Sequence, residues 1–215
     1  MKKGQLIVIS GFSGAGKGTV VKKLRATHPD EFAVSISATT RAPRVADGEI
    51  HGVHYFFVSE ERFQEMVDHG DFLEHAFYAG SGHHYGTPRQ FVLDTLAKGT
   101  HVILEIEIQG ALQIKKNYPD ALLIFLTAPS ASELKRRLIN RSTEPLNEIE
   151  RRLIRAREEA KSMPYYDYIL VNDDQDECVR ELYDLIRLNG IRSCFQADLI
   201  DRMQTELAEL DVTSE

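Results

Sequence analysis

With 215 residues, 42% of them hydrophobic, the chain has the material for one domain of ordinary core size with room for inserted pieces. A net charge of −7 argues against general binding to nucleic acid or an anionic membrane, so an anionic ligand would have to be held by local basic groups. Cys178 and Cys194 have neither CxxC nor metal-ligand spacing and read as reduced thiols of a cytoplasmic protein, and the apolar run after "MKKGQ" is too short for a signal-peptide core or a membrane span.

In chain order, Gln5 to Ser10 is a continuous apolar run, as expected of a central strand buried on both faces. A helix is expected from about Lys17 to Ala26, with Val20, Val21 and Leu24 inward, and a second strand from Phe32 to Ser37. "ATTRAPRVADGEIHG" is polar, contains Pro43 and Gly48, and reads as loop; "VHYFFVS" reads as strand. Ser59, followed by Glu60 and Glu61, starts a helix that ends near Gly70. "DFLEHAFYAG" is another strand. In "YGTPRQFVLDTLAKG", Thr87 is placed to N-cap, Pro88 to take the first helical position and Gly99 to end the helix.

"HVILEIEI" then reads as strand, "GALQIKKN" as a short helix and "ALLIFLTAP" as strand. "SASELKRRLINR" opens with Ser130 and Glu133 at capping-box spacing. "NEIERRLIRAREEAKSM" is helix, "YDYILVND" a final strand and "DECVRELYDLIRLNG" a helix. In the tail "FQADLIDRMQTELAEL", Leu199, Met203, Leu207 and Leu210 recur at helical spacing; this stripe is expected to dock on the core, with self-association into a homo-oligomer as its other use. The alternation of strands and helices predicts an α/β fold with a parallel sheet, and residues 38–87, which break it, read as an inserted subdomain. His83 and His84 precede Tyr85 on a predicted loop; without a third ligand they read as surface residues rather than a metal site.

"IVISGFSGAGKGT" carries the most specific signal. Gly11, Gly16 and Lys17 fit G-x-x-x-x-G-K directly after a strand and before a helix. Backbone N–H groups of Gly11, Phe12, Ser13, Gly14, Ala15 and Gly16 would wrap a phosphate, the helix N-terminus would add its positive end, and Lys17 would reach the β- and γ-phosphates of a nucleoside triphosphate. Gly18 stands where Ser or Thr usually ligates Mg²⁺, with Thr19 one residue later. Mg²⁺ is therefore expected to be held mainly by waters and ATP oxygens, and Thr19 to serve a phosphate. A second anion site is suggested by Arg41 and Arg44 on a non-helical loop, with Ser37 before and Tyr55 beyond; a solvated loop with routine arginines fits the same spacing.

Taken together and in order, "GFSGAGKGT", "SISATTRAPR", "DGEIHGVHYFF", "DFLEHAFYAG", "HYGTP", "LEIEIQG", the arginines of "LKRRLINR" and "VNDD" closely resemble the guanylate kinase family, over roughly residues 4–188. The resemblance implies a P-loop NTPase-type core (4–37, 88–132 and 160–188), a GMP-binding insert (38–87), a helical lid (133–159) and a separate tail (189–215). It implies the reaction ATP + GMP ⇌ ADP + GDP. It would put Arg41, Arg44, Tyr55 and Tyr85 on the GMP phosphate and Ser37, Glu74, Thr87 and Glu107 on guanine. Guanine offers N1–H and N2–H₂ donors to a carboxylate and an O6 acceptor to a hydroxyl, whereas adenine would leave the carboxylate unpaired.

By the same resemblance, Arg137, Arg141 and Arg152 are lid arginines, and Asn172 and Asp173 approach adenine. Two positions depart from the family pattern: Glu107, more often Asp, and "NRST" with Asn140 and Ser142, where "GRGT" is usual. Arg155 and Arg157 read instead as members of a solvated helix face with i,i+4 partners. Glu105 ends a strand where an acid can orient Mg²⁺-bound water. The acceptor phosphate is already ionised, so no general base is expected; the work is positioning and charge neutralisation in a closed site. The alternative reading is a non-catalytic binding module of the same fold, in which the phosphate loop is typically degraded. A kinase for another nucleoside monophosphate is disfavoured by the set Ser37, Glu74 and Thr87.

Overall fold

Strand β1 (Leu6–Gly11) shows why its run of apolar residues is continuous. Leu6 and Val8 enter one core with Val92, Leu104, Ile114 and Phe125, while Ile7 and Ile9 enter a second with Val20, Leu24, Ile103 and Ile186. Both faces of the strand are therefore covered, and each fully buried aliphatic side chain stabilises the fold by about 1.5–3 kcal/mol. The computed structural model describes residues 3–78, 81–141 and 146–210.

After β1 come α1 (Lys17–Thr27), β2 (Phe32–Val34), β3 (Ala38–Thr39), β4 (Phe56–Phe57), α2 (Glu60–Asp68), β5 (Phe72–Tyr78) and β6 (His83–Pro88). The chain continues through α3 (Arg89–Ala97), β7 (His101–Glu105), α4 (Ile108–Asn117), β8 (Leu122–Thr127), α5 (Ala131–Arg141), α6 (Leu146–Ala160), β9 (Tyr168–Val171), α7 (Gln175–Asn189) and α8 (Ala197–Glu209). The main sheet has the order β2-β7-β1-β8-β9, and all its pairs are parallel. A second sheet, β4-β3-β6-β5, is built between residues 38 and 88 and pairs mostly antiparallel. Its small core is Ala38, Phe63 and Phe72. The α/β fold with a parallel sheet is thus as the alternation predicts.

Several local expectations give way to tertiary demands. The predicted strand Phe32–Ser37 splits, because the chain leaves the main sheet after Val34 and joins the second at Ala38. "VHYFFVS" keeps only two strand residues, since 50–54 fold into a turn in which His54 Nδ1 accepts from the Ile50 N–H. Thr87 does not cap a helix: it lies in β6, and Pro88 occupies the cap position of α3. His83 and His84 are half-buried residues of β6, with His84 packed against the rings of Phe63 and Phe77, rather than plain surface residues on a loop. "HVILEIEI" stops as strand at Glu105, where Ile106 turns its carbonyl to accept from Ser10 Oγ and Glu107 becomes the cap residue of α4.

Ser59 caps α2 as expected. Ser130 accepts from the Glu133 N–H, but the Glu133 carboxylate turns to Arg136 and Arg137 instead of closing the capping box. The tail forms α8 but does not dock: Leu199, Met203, Leu207 and Leu210 are 43–60% exposed. Both cysteines are free, Cys178 buried and Cys194 exposed, and burial pushes the Cys178 thiol up to about 12.

Candidate active site

Residues 11–16 curl between β1 and α1, both of which are packed rigidly into the core. Gly16 has φ 97°, and a Cβ there would collide with the Asn172 side chain. That side chain donates from Nδ2 to the Ala15 carbonyl at 2.8 Å, so the start of the β9–α7 turn braces the loop from beneath. Lys17 Nζ spans the loop, donating to the Gly11 carbonyl at 2.5 Å and the Phe12 carbonyl at 3.2 Å.

A cavity of about 460 Å³ opens on one side of this loop, lined by Gly14, Gly16, Thr19, Arg136, Arg137 and Asn172, with Asp173 at its edge. Arg137 is fixed there by Glu133 at 2.7 Å and by the Asn172 carbonyl at 2.8 Å. The guanidinium groups of Arg136 and Arg137 hold the Glu133 carboxyl down at about 2. From α6, Arg152 donates to Ser13 Oγ at 3.3 Å, which brings this helix onto the loop. The side chain of Arg141, and Ser142 entirely, lie outside the described residues. Asn172 lines the cavity, but its amide is committed to the loop and its carbonyl to Arg137. Arg136 was not singled out from sequence, where it looks like one more charge in a basic run.

A second cavity, also about 460 Å³, lies between the two sheets under α6. It gathers Ser37, Tyr55, Glu74, Tyr85 and Glu107. Ser37 arrives there because it sits where the chain crosses between sheets. Tyr85 and Glu74 come from the paired strands β5 and β6. Glu74 is only 5% exposed, and its Oε1 accepts from Thr87 Oγ1 at 2.6 Å. Burial raises its pKa to about 7, although the Thr87 hydrogen bonds pull the other way. Gly110, in the first turn of α4, has no Cβ because one there would overlap the Glu74 carboxylate. The sequence contained this signal as the glycine of "EIQG", but its partner is 36 residues away and only the fold shows it.

Glu105, the last residue of β7, and Glu107, the cap residue of α4, both line this cavity and are exposed at its mouth. The protein packed around them raises both above the ordinary carboxylate range, against the pull of Lys17. Neither Arg41 nor Arg44 lines the cavity, and Arg41 meets it through Tyr55. Arg41 is gripped by Glu49 through two hydrogen bonds of 2.8 Å and lies over the rings of Tyr55 and Phe57. The Arg44 backbone N–H donates to the same carboxylate at 2.7 Å. Glu49 is held at about 2, first by Arg41 and then, after the opposing effect of burial, by the Arg44 amide. The loop is thus held in shape by specific hydrogen bonds to Glu49, although residues 42–46 are exposed, and Glu49 was missed. An acid five residues after Arg44 was its only sequence signal.

The reading of Arg155 as a solvated residue is overturned. Arg155 is half-buried, lines the second cavity with Glu159, and donates to the hydroxyl of Tyr78; Arg157 is exposed as expected. Its sequence clue was position: it lies three residues after Arg152, hence on the same helix face.

One cavity beside a triphosphate-type loop and another between the sheets, with Arg41 stacked on its lining residue Tyr55, leave room for a donor nucleotide and a second phosphorylated ligand. That layout is of a P-loop phosphotransferase. The guanylate kinase family model matches residues 3–189, and the chain belongs to the guanylate kinase family. It is 47% identical over 191 residues to the guanylate kinase of Enterococcus faecalis, covering 89% of this chain and 92% of the other. It is 44% identical over 208 residues to that of Clostridioides difficile, covering 96% and 99%. The crystal structure of guanylate kinase from Anaplasma phagocytophilum superposes with a TM-score of 0.77 at 30% identity, covering 96% of this chain and 97% of that one.

Proposed function

We infer that this chain carries out the reaction of its family, transferring the γ-phosphoryl group of ATP to GMP to give ADP and GDP. One observation supports the choice of base above the others: a buried carboxylate, Glu74, fixed by Thr87 and given room by Gly110, in a cavity opposite the phosphate loop. Ionised, it accepts from guanine N1–H and N2–H₂, while Ser37 and Glu107 complete the edge of the base. The GMP phosphate goes to Arg41, Arg44, Tyr55 and Tyr85. ATP takes the loop Gly11–Thr19, with its base in the cavity beside Arg137, Asn172 and Asp173. The main sheet with its flanking helices is the core, the second sheet the GMP subdomain, and α5 with α6 the lid.

Transfer needs no base, because the attacking phosphate oxygen already carries charge. Lys17 exchanges the carbonyls of Gly11 and Phe12 for the donor phosphates. Arg137, Arg141 and Arg152 add positive charge from the lid, and closure of the lid keeps water from the phosphoryl group. The residues fit Mg²⁺: a Cβ at Gly18 would stand 3.7 Å from Glu105 Oε2, so the acid lies against the start of α1 and would help to hold the ion through water. When bound, the ion neutralises charge on the β- and γ-oxygens.

A binding module of the same fold is disfavoured by the complete loop, with Lys17 and Arg152 both brought to it. We read the partners as the two nucleotides and not nucleic acid or membrane. No helix among the described residues is long and apolar enough to cross a membrane. The free thiols fit a reducing cytoplasm. ADP release measured across GMP, AMP, CMP and UMP tests the assignment: GMP is expected to be strongly preferred, and equal turnover of AMP would overturn the guanine reading.

Arg44→Met separates the two phosphate sites. The side chain is exposed while its backbone N–H holds Glu49, so the variant keeps the loop and loses only the guanidinium. A charge-assisted hydrogen bond contributes about 1.5–3 kcal/mol. The GMP KM is therefore expected to rise roughly tenfold to a hundredfold with ATP binding little changed. Titration calorimetry with GMP and with an ATP analogue checks this, and equal weakening of both would mean that Arg44 is structural.

A further inference from the structure

We propose that Arg155 is a positioning residue that couples seating of the lid helix α6 to occupancy of the GMP cavity, by gripping Tyr78 at the end of a row of rings that leads to Arg41. The inference rests on the placement of GMP in the cavity between the sheets. The Arg155 guanidinium lies 4.8 Å from the centroid of the Tyr78 ring and donates to its hydroxyl. Tyr78 meets Tyr85 edge to face, with centroids 6.3 Å apart and planes at 82°. Tyr85 meets Tyr55 at 6.0 Å and 70°. Arg41 closes the row 5.3 Å from the Tyr55 centroid. Offset and edge-to-face contacts of this kind favour one arrangement of the rings over others, and a cation over a ring face adds direction.

The same face of α6 makes both connections. Arg152 reaches Ser13 of the phosphate loop, and Arg155, three residues on, reaches Tyr78 of the second sheet. Glu159, four residues further, faces the cavity, where the charge of Glu107 helps to raise its pKa after the larger effect of burial. Helix α6 is therefore a bar with one hold on the donor site and one on the acceptor subdomain. A phosphate held by Arg41, Tyr55 and Tyr85 fixes the row of rings, which presents Tyr78 to Arg155. Arg155 then seats α6, and Arg152 is carried to the loop. Coupling of this kind is reciprocal: each nucleotide tightens the other by the same factor.

The test is titration of a non-hydrolysable ATP analogue, with and without saturating GMP, into the wild type, Arg155→Ala, Arg155→Lys and Tyr78→Phe. The wild type is expected to bind the analogue about fivefold or more tightly when GMP is present. Arg155→Ala and Tyr78→Phe are expected to lose that tightening while each nucleotide alone binds within about twofold of wild type. Arg155→Lys keeps the charge but not the planar fork and is expected to retain part of it. The double variant Arg155→Ala/Tyr78→Phe should match the single ones, and kcat should fall while the GMP KM at saturating ATP rises by the coupling factor that is lost. Variants that keep the wild-type tightening would overturn the latch and leave the cavity assignment standing. A wild type that does not bind GMP would overturn the assignment and the latch with it.

Discussion

Lys17→Ala is expected to lower kcat by about a hundredfold to a thousandfold or more, with the fold intact. Lys17 is the one loop side chain whose ammonium spans the turn, resting on the carbonyls of Gly11 and Phe12. In a closed site, a charge aimed at the transferred group contributes about 3–4 kcal/mol to the transition state, far more than it would in water. The half-buried lysine packs against its own loop rather than in either core, so its loss should move Tm by no more than a few degrees. Single-turnover transfer and thermal unfolding, measured on the same preparation, separate the two effects. Near-normal turnover in a folded variant would remove the kinase reading.

Glu74→Gln is expected to weaken GMP by roughly tenfold to a hundredfold and to narrow the preference for GMP over AMP. The amide loses the charge that assists the bonds from guanine N1–H and N2–H₂, each about 1.5–3 kcal/mol in strength. The pH dependence makes the test sharper. An unfolded glutamic acid titrates near 4.5, whereas burial holds Glu74 at about 7. Its protonated form therefore contributes stability that is fully present below pH 4.5 and is lost as pH rises through 7. Guanine needs the ionised form, so in the wild type the GMP KM should climb as pH falls below 7, by up to about tenfold per unit. In Glu74→Gln the KM should be high and flat over that range, and the loss of stability between pH 4.5 and 7 should shrink. A wild-type GMP KM that does not change between pH 8 and 5.5 would show that Glu74 does not read the base.

The residues whose meaning depends on near neighbours were legible without coordinates. The apolar run of β1, the loop from Gly11 to Lys17 and the alternation of strands with helices are local patterns set by backbone geometry. They predict the parallel sheet and the triphosphate-type turn directly. The ordered motifs from "GFSGAGKGT" to "VNDD" likewise carried the family, which the match over residues 3–189 bears out.

What only the tertiary structure decided are pairings between segments whose local patterns do not name each other. Glu49 is fixed by two hydrogen bonds from the single guanidinium fork of Arg41 and by the amide of Arg44. Gly110 makes room for a carboxylate in another sheet, and Thr87 leaves its predicted cap to serve Glu74. Arg155 has the composition of a solvated helix residue and becomes a cavity residue only because α6 is laid over Tyr78. The apolar stripe of α8 shows the converse: its period predicts the helix, but period alone does not supply a surface to cover it. A short-range pattern reports which face of an element is apolar or charged. Which other face it meets is set by loop closure and packing between segments, and the pattern within one element does not report its partner.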